Sequence, residues 1–157
     1  MMLRNIILLA FACLLSACGG EDSKSPYLSF AGGGFVFNYR NAEAFYGFVA
    51  KPLKTLPEGG VIEAQFEVPG SPDPAISREK VVQGKVQYKF QSPNLKGIEA
   101  KHDYKVVMRL IDAEGKEVAH YEHKFHSDVD QATMPDQPLV VGPGYQRNPE
   151  LKPGTLD

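Results

Sequence analysis

Between residues 27 and 127, apolar and polar side chains alternate in short stretches broken by Gly and Pro. The clearest stretch is 61–68, where Ile62, Ala64, Phe66 and Val68 point one way and Glu63, Gln65 and Glu67 the other. A period of two is that of a strand with one buried face. The same pattern covers 82–90, with Val82, Gly84, Val86, Tyr88 and Phe90 set against Gln83, Lys85, Gln87 and Lys89. In 104–111, Tyr104, Val106, Met108 and Leu110 share a core face. Asp112-Ala113-Glu114-Gly115-Lys116 then joins this stretch to 117–125 as a hairpin connection, with Gly115 suited to the left-handed position. Two more strands are expected at 35–39, just after Gly32-Gly33-Gly34, and near 45–50. Pro52, Pro57-Glu58-Gly59-Gly60 and the run 69–74 (PGSPDP) punctuate the chain as loops. The connection 91–103 carries Pro93 and Gly97, with room for one helical turn.

Six or seven short strands, each with one wet face, and no long amphipathic helix predict an all-β fold, an antiparallel β-sandwich. Tyr104 opens a strand after the loop that holds Leu95. This resembles the tyrosine-corner region of immunoglobulin-like and fibronectin type III domains. The resemblance implies an immunoglobulin-like sandwich over 27–127. It implies no particular activity, because such folds carry many.

The segment ahead of the strands has a different character. Arg4 is the one charge in the first 17 residues, and 6–15 is an unbroken apolar run (IILLAFACLL). Ten residues are too few to span a bilayer, which takes about 20, but they suit the apolar region of a signal peptide. An ordinary small-x-small cleavage site ending at Ala17 would place the bulky Leu15 at its −3 position. Leu15-Ser16-Ala17-Cys18 instead resembles the lipobox of bacterial lipoprotein precursors. The resemblance implies that Leu15, Ser16 and Ala17 are read by the signal peptidase and that cleavage falls before Cys18. It further implies that the Cys18 sulfur receives a diacylglycerol and that the new amine is acylated. Two or three chains anchor firmly where one is marginal. Gly19 after the cysteine suggests, by the enterobacterial sorting rule, the outer membrane facing the periplasm. Residues 18–26 would then be the lipidated N-terminus and a tether of small, polar, turn-forming residues (GGEDSKSP).

Removal of 1–17 leaves 140 residues, the size of one ordinary domain. The mature chain would hold 16 Lys and Arg against 19 Asp and Glu, a net charge near −3. A weakly acidic chain lacks the basic face that phosphate binding requires, so no nucleic-acid partner is expected. Cys18 would be the sole thiol, which rules out an intramolecular disulfide and leaves no thiol for nucleophilic catalysis. From 128 to 157 the alternation stops and Pro and Gly crowd the chain. This tail is expected to be extended, with Leu139-Val140-Val141 and Tyr145 apolar enough to dock onto the domain or a partner.

Candidate chemistry is sparse. His120, His123 and His126 recur every three residues, but a strand puts His120, Glu122 and His126 on one face and His123 on the other. His120 and Glu122 are the weak candidates for a metal; the simpler expectation is two solvated histidines and a packed His123. Asp128, Asp130 and Asp136 form an acidic group without the spacing of a calcium loop. Gly32-Gly33-Gly34 is not followed by Gly-Lys-Ser/Thr, and a bulge or close backbone approach accounts for it. No nucleophile elbow and no His-Glu-x-x-His occur. The chain is therefore expected not to be an enzyme and to need no cofactor. The expected role is a lipid-anchored cell-envelope module that binds or scaffolds another envelope protein, with Tyr39, Val140 and Tyr145 as the candidate partner surface. The alternative is a small-ligand or carbohydrate-binding lipoprotein using the aromatics of 27–48.

Overall fold

Ile62, Ala64 and Phe66 are wholly buried, as their alternation requires, on a strand at the centre of a four-stranded sheet. The computed structural model describes residues 25–151. The signal segment 1–17 with Leu15, Ser16 and Ala17, the lipidation candidate Cys18, the tether as far as residue 24 and the final residues 152–157 lie outside the described residues.

The strands are β1 (Leu28–Asn38), β2 (Glu43–Pro52), β3 (Val61–Phe66), β4 (Ala75–Lys80), β5 (Tyr88–Gln91), β6 (His102–Ile111) and β7 (Glu117–Ser127). A short 3-10 turn, Gln131–Thr133, and a two-residue ladder of β8 (Val140–Val141) with β9 (Gln146–Arg147) follow. One sheet has the order β1-β2-β5 and the other β4-β3-β6-β7, with every pairing antiparallel. The molecule is an all-β, immunoglobulin-like antiparallel sandwich. The fourth strand pairs with the third, giving three strands on four, whereas a constant-type immunoglobulin domain has four on three.

Aromatic rings from both sheets meet in the core. Tyr46 of β2 stacks on Phe35 at 4.8 Å and meets Phe66 edge-on at 5.2 Å. Leu28 and Phe30 face inward on β1, and the pairing register then slips between Phe30 and Gly32. The extra residue switches parity, so that Gly33, Phe35 and Phe37 become the inward set. Gly33 faces Phe125 of β7: a Cβ there would lie 2.5 Å from the Gly47 carbonyl oxygen and 2.7 Å from the Phe125 ring. The glycine run therefore serves both expected purposes, a bulge and a close approach, and it lets β7 close over β1 at the seam of the sandwich.

The Tyr104 corner forms as the resemblance implied. Its hydroxyl accepts the Glu99 N–H at 2.8 Å, while Leu95 is buried and its N–H donates to the Ala44 carbonyl at 2.7 Å. The 112–116 hairpin forms too, with Gly115 at φ 84° and the Asp112 carboxylate accepting the N–H groups of Glu114 and Lys116.

Two expectations are corrected. The stretch 82–90 is not one strand: pairing starts only at Tyr88, and Val82 and Val86 are exposed. The Tyr88 hydroxyl accepts the Val82 N–H at 2.9 Å and donates to the Val82 carbonyl at 3.1 Å. With Gly84 at φ 78°, this wraps 82–87 into a loop around the ring rather than extending it. Conversely, Ala75–Lys80 forms a strand that the apolar pattern did not announce. It is an edge strand whose exposed face holds Ile76, Arg78 and Lys80, and its backbone pairing to β3 needs no apolar stripe.

The C-terminal segment docks onto its own domain. Gln131 is buried, accepts the Ile98 N–H at 3.1 Å and donates to the Leu95 carbonyl at 2.8 Å. Leu139 and Val140 both donate backbone N–H groups to the Arg40 carbonyl, at 2.7 and 3.4 Å. The Asn148 amide donates to the Pro138 carbonyl at 2.8 Å. The expected extended tail thus contains a 3-10 turn and a small hairpin, both tied by polar contacts to distant parts of the domain.

Candidate functional site

The strands give the sandwich two distinct ends. On β1, Leu28 pairs with Pro52 at one end and Asn38 with Glu43 at the other. The ten steps from Leu28 to Asn38, at about 3.3 Å each, separate these ends by about 33 Å. The N-terminal segment leaves from the first end. There, Leu53 N–H donates to the Tyr27 carbonyl at 2.9 Å, Tyr27 N–H donates to the Tyr121 hydroxyl at 2.9 Å, and Lys54 Nζ lies 4.1 Å from the centre of the Tyr27 ring.

The expected partner residues gather at the other end. Tyr39 follows β1 directly, is 44% exposed, and its hydroxyl shares a 3.1 Å hydrogen bond with Thr133. Val140 lies in β8, held to Arg40 beside Tyr39, and is half-buried. Tyr145 sits in the turn of the same hairpin at φ 49° and is 64% exposed. This positive φ, unusual for an aromatic residue, follows the turn set by the Tyr145 N–H to Gly142 carbonyl bond at 3.2 Å. Of the eight aromatics in 27–48, only Tyr39 is exposed; Tyr46 and Phe48 are buried and the others are half-buried. That segment builds core, so the stacking platform of the alternative reading has one exposed ring left.

The histidines are divided as strand geometry dictates. His120 lies between Glu117 and Glu122, at 3.3 and 3.4 Å, opposite Arg109 on β6. Glu122 is in turn held by Lys105 at 2.7 Å. The cations beside His120 and Glu122 compete with any metal for the same carboxylates. His126 pairs with Asp103 at 2.7 Å and Asp128 at 3.5 Å, and the hydrogen bond from His126 holds the Asp103 carboxyl below its usual range. His123 corrects the expectation of a packed residue: it is exposed, yet its ring stacks on Phe30 at 5.0 Å and meets Phe125 edge-on at 4.7 Å. Among the described residues, no three His, Cys, Asp or Glu side chains converge as metal ligands. Asp130 caps the 3-10 turn by accepting the Ala132 N–H at 2.8 Å, so the acidic group after β7 is partly structural.

Sequence reasoning missed Glu63. Alternation put it on the wet face of β3, yet its side chain is only 4% exposed. Arg78 of β4 and Arg109 of β6 bind its two oxygens at 2.6 and 3.0 Å, and Gln65 donates to it at 2.8 Å. Burial raises the Glu63 pKa, but the hydrogen bonds from Gln65 and Arg78 and the two positive charges outweigh it and hold the carboxyl below its ordinary value. Arg109 also binds Glu117, so charge pairs run across the outer face from Arg78 to Lys105. The available signal was register: Arg78 and Arg109 flank Glu63 on both neighbouring strands. These groups satisfy one another and leave neither a free nucleophile nor a base with a raised pKa facing a cleft.

No protein-family model matches the chain, and no curated protein does. Two crystal structures of OgpA from Akkermansia muciniphila are similar over 68% of this chain and 30% of theirs. One is the wild type, at TM-score 0.38 and 11% identity. The other is a catalytically inactive form in complex with an O-glycopeptide substrate, at TM-score 0.35 and 14% identity.

Proposed function

We propose that this chain is a lipid-anchored cell-envelope protein, held through Cys18 and facing the periplasm from the outer membrane. It acts as a non-catalytic module that binds or scaffolds another envelope protein. The reading rests on one geometric observation joined to the lipobox resemblance. Tyr27, where the domain begins, lies at one end of the strands, while Tyr39, Val140 and Tyr145 lie at the other. A domain held by its N-terminus presents that far end away from the lipid, with two exposed tyrosines of the kind enriched at protein interfaces. The ion pairs of the outer sheet face are mutually satisfied and supply no catalytic group, which favours recognition over reaction.

Site-specific photo-crosslinking in the cells that make the protein tests this. A photoreactive residue at Tyr39 or Tyr145 should capture the same envelope protein, while one at the exposed Val86, at the opposite end, should not. Equal capture from all three positions, or none from Tyr39 and Tyr145, would overturn the proposal.

A further inference from the structure

The end from which the N-terminal segment leaves carries a cleft of apolar and basic side chains. Leu53, Val82 and Val86 are 51%, 55% and 76% exposed and line one open cleft. The charged residues lining that cleft are Lys51, Lys54 and Lys85, with no Asp or Glu among them. This is notable in a chain with more acidic than basic residues.

The apolar loops are held in place rather than left loose. Val82 is fixed at both its N–H and its carbonyl by the Tyr88 hydroxyl, Lys85 N–H closes a turn on the Val82 carbonyl at 3.2 Å, and the Gln83 amide donates to the Leu56 carbonyl at 3.1 Å. Two valines are thereby held outward, although their alternation with Tyr88 and Phe90 would have placed them in a core. Glu79 pairs with Lys85 at 3.4 Å, and Glu58 is exposed in the connection that follows Leu53 and Lys54. The acidic hairpin 112–116 is at the same end but joins the strands of the other sheet.

We propose that this end is a membrane-contacting surface: Leu53, Val82 and Val86 enter the headgroup region of a bilayer, and Lys51, Lys54 and Lys85 bind its anionic phospholipids. The inference rests on the reading of Cys18 as the anchor. Ser25 is seven residue steps from Cys18 and Tyr27 nine, which at about 3.5 Å per step reach at most about 25 Å and about 32 Å. An acylated Cys18 therefore keeps the Leu53 end, hydrogen-bonded to Tyr27, within about 32 Å of the lipid. Apolar side chains ringed by lysines suit such an interface, where area burial and attraction to anionic headgroups add. The contact would orient the domain on its tether and direct Tyr39 and Tyr145 away from the membrane.

The test uses the mature chain 18–157 with Cys18→Ser, so that no lipid contributes, and Val86→Cys carrying an environment-sensitive fluorophore. It is titrated with vesicles of phosphatidylethanolamine and phosphatidylglycerol at 3:1, and with vesicles of phosphatidylcholine. A blue shift on the anionic vesicles, at least tenfold weaker on the neutral ones and reversed by 0.5 M salt, is expected. Lys51→Glu with Lys54→Glu, and separately Leu53→Asp with Val82→Asp, should each weaken binding tenfold or more with the circular dichroism spectrum unchanged. No shift on anionic vesicles, equal binding to both lipids, or unaffected variants would overturn the proposal. So would a protein cross-linked from Val86 in cells, which would assign the surface to a protein partner. The lipid-free chain answers this whether or not Cys18 is acylated, so failure here and failure of the anchor are separate results.

Discussion

Arg78 and Arg109 reach from the two strands flanking β3 and bind the same buried carboxylate, that of Glu63. The contact ties β4, β3 and β6 together on the outer face, where no apolar layer covers the sheet. Both arginines keep contact with water, so their desolvation cost is limited, while Glu63 is satisfied by three donors.

Replacing Glu63 with Gln should destabilise the domain by about 1–3 kcal/mol at neutral pH, the range for breaking a charge-assisted buried network. Because the folded-state pKa of Glu63 lies below its unfolded value of about 4.3, its contribution is fully present above that value. It is lost as pH falls through the folded pKa. Denaturant melts between pH 3 and pH 7 should therefore show a shallower acid loss in Glu63→Gln than in the parent. Parallel curves would assign the pH dependence elsewhere.

Gly33→Ala should cost about 1–3 kcal/mol, because its Cβ would lie 2.5 Å from the Gly47 carbonyl oxygen of the paired strand β2 and 2.7 Å from the Phe125 ring, so the β1–β2 backbone and the Phe125 side chain of β7 must both shift. Val36→Ala, at an exposed position on the same strand, should stay within about 0.5 kcal/mol. Thermal melts of the two variants provide the comparison.

Much of this architecture was legible from alternation alone. The buried sets of β3 and β6 and the 112–116 hairpin read directly from the sequence, while the Tyr104 corner followed from the resemblance to immunoglobulin-like and fibronectin type III domains. The failures share a cause. Alternation reports which residues suit burial, not which backbone pairs. Val82 and Val86 keep the strand period yet face solvent because the Tyr88 hydroxyl captures the Val82 backbone. β4 pairs without an apolar stripe, and Glu63 is buried by partners 15 and 46 residues away. Of the candidate surface, Tyr39 and Val140 come together only through the docking of Leu139 and Val140 on Arg40, a contact that no local pattern encodes.

Tyr104→Phe should lose about 1 kcal/mol, the net worth of the hydrogen bond its hydroxyl accepts from Glu99 N–H, with packing otherwise kept. Hydrogen exchange should show faster exchange at Glu99 and little change at Val106. An unchanged Glu99 amide would contradict the corner.

Gln131→Ala should remove the two bonds of its side chain to the 95–98 loop, leaving the Ile98 N–H and the Leu95 carbonyl without them. A cost of about 2 kcal/mol is expected. Limited proteolysis should cut more readily after residue 128, while β1–β7 stay intact. If cleavage is unchanged, the segment is held mainly through Arg40 and Tyr39.

The central claim is that Cys18 carries lipid and begins the mature chain. The intact mass of the protein extracted in detergent from membranes of cells that make it tests this most directly. The expected mass is that of residues 18–157 plus a diacylglycerol and one further acyl chain. A species starting elsewhere, or residues 18–157 with an unmodified thiol, would contradict it.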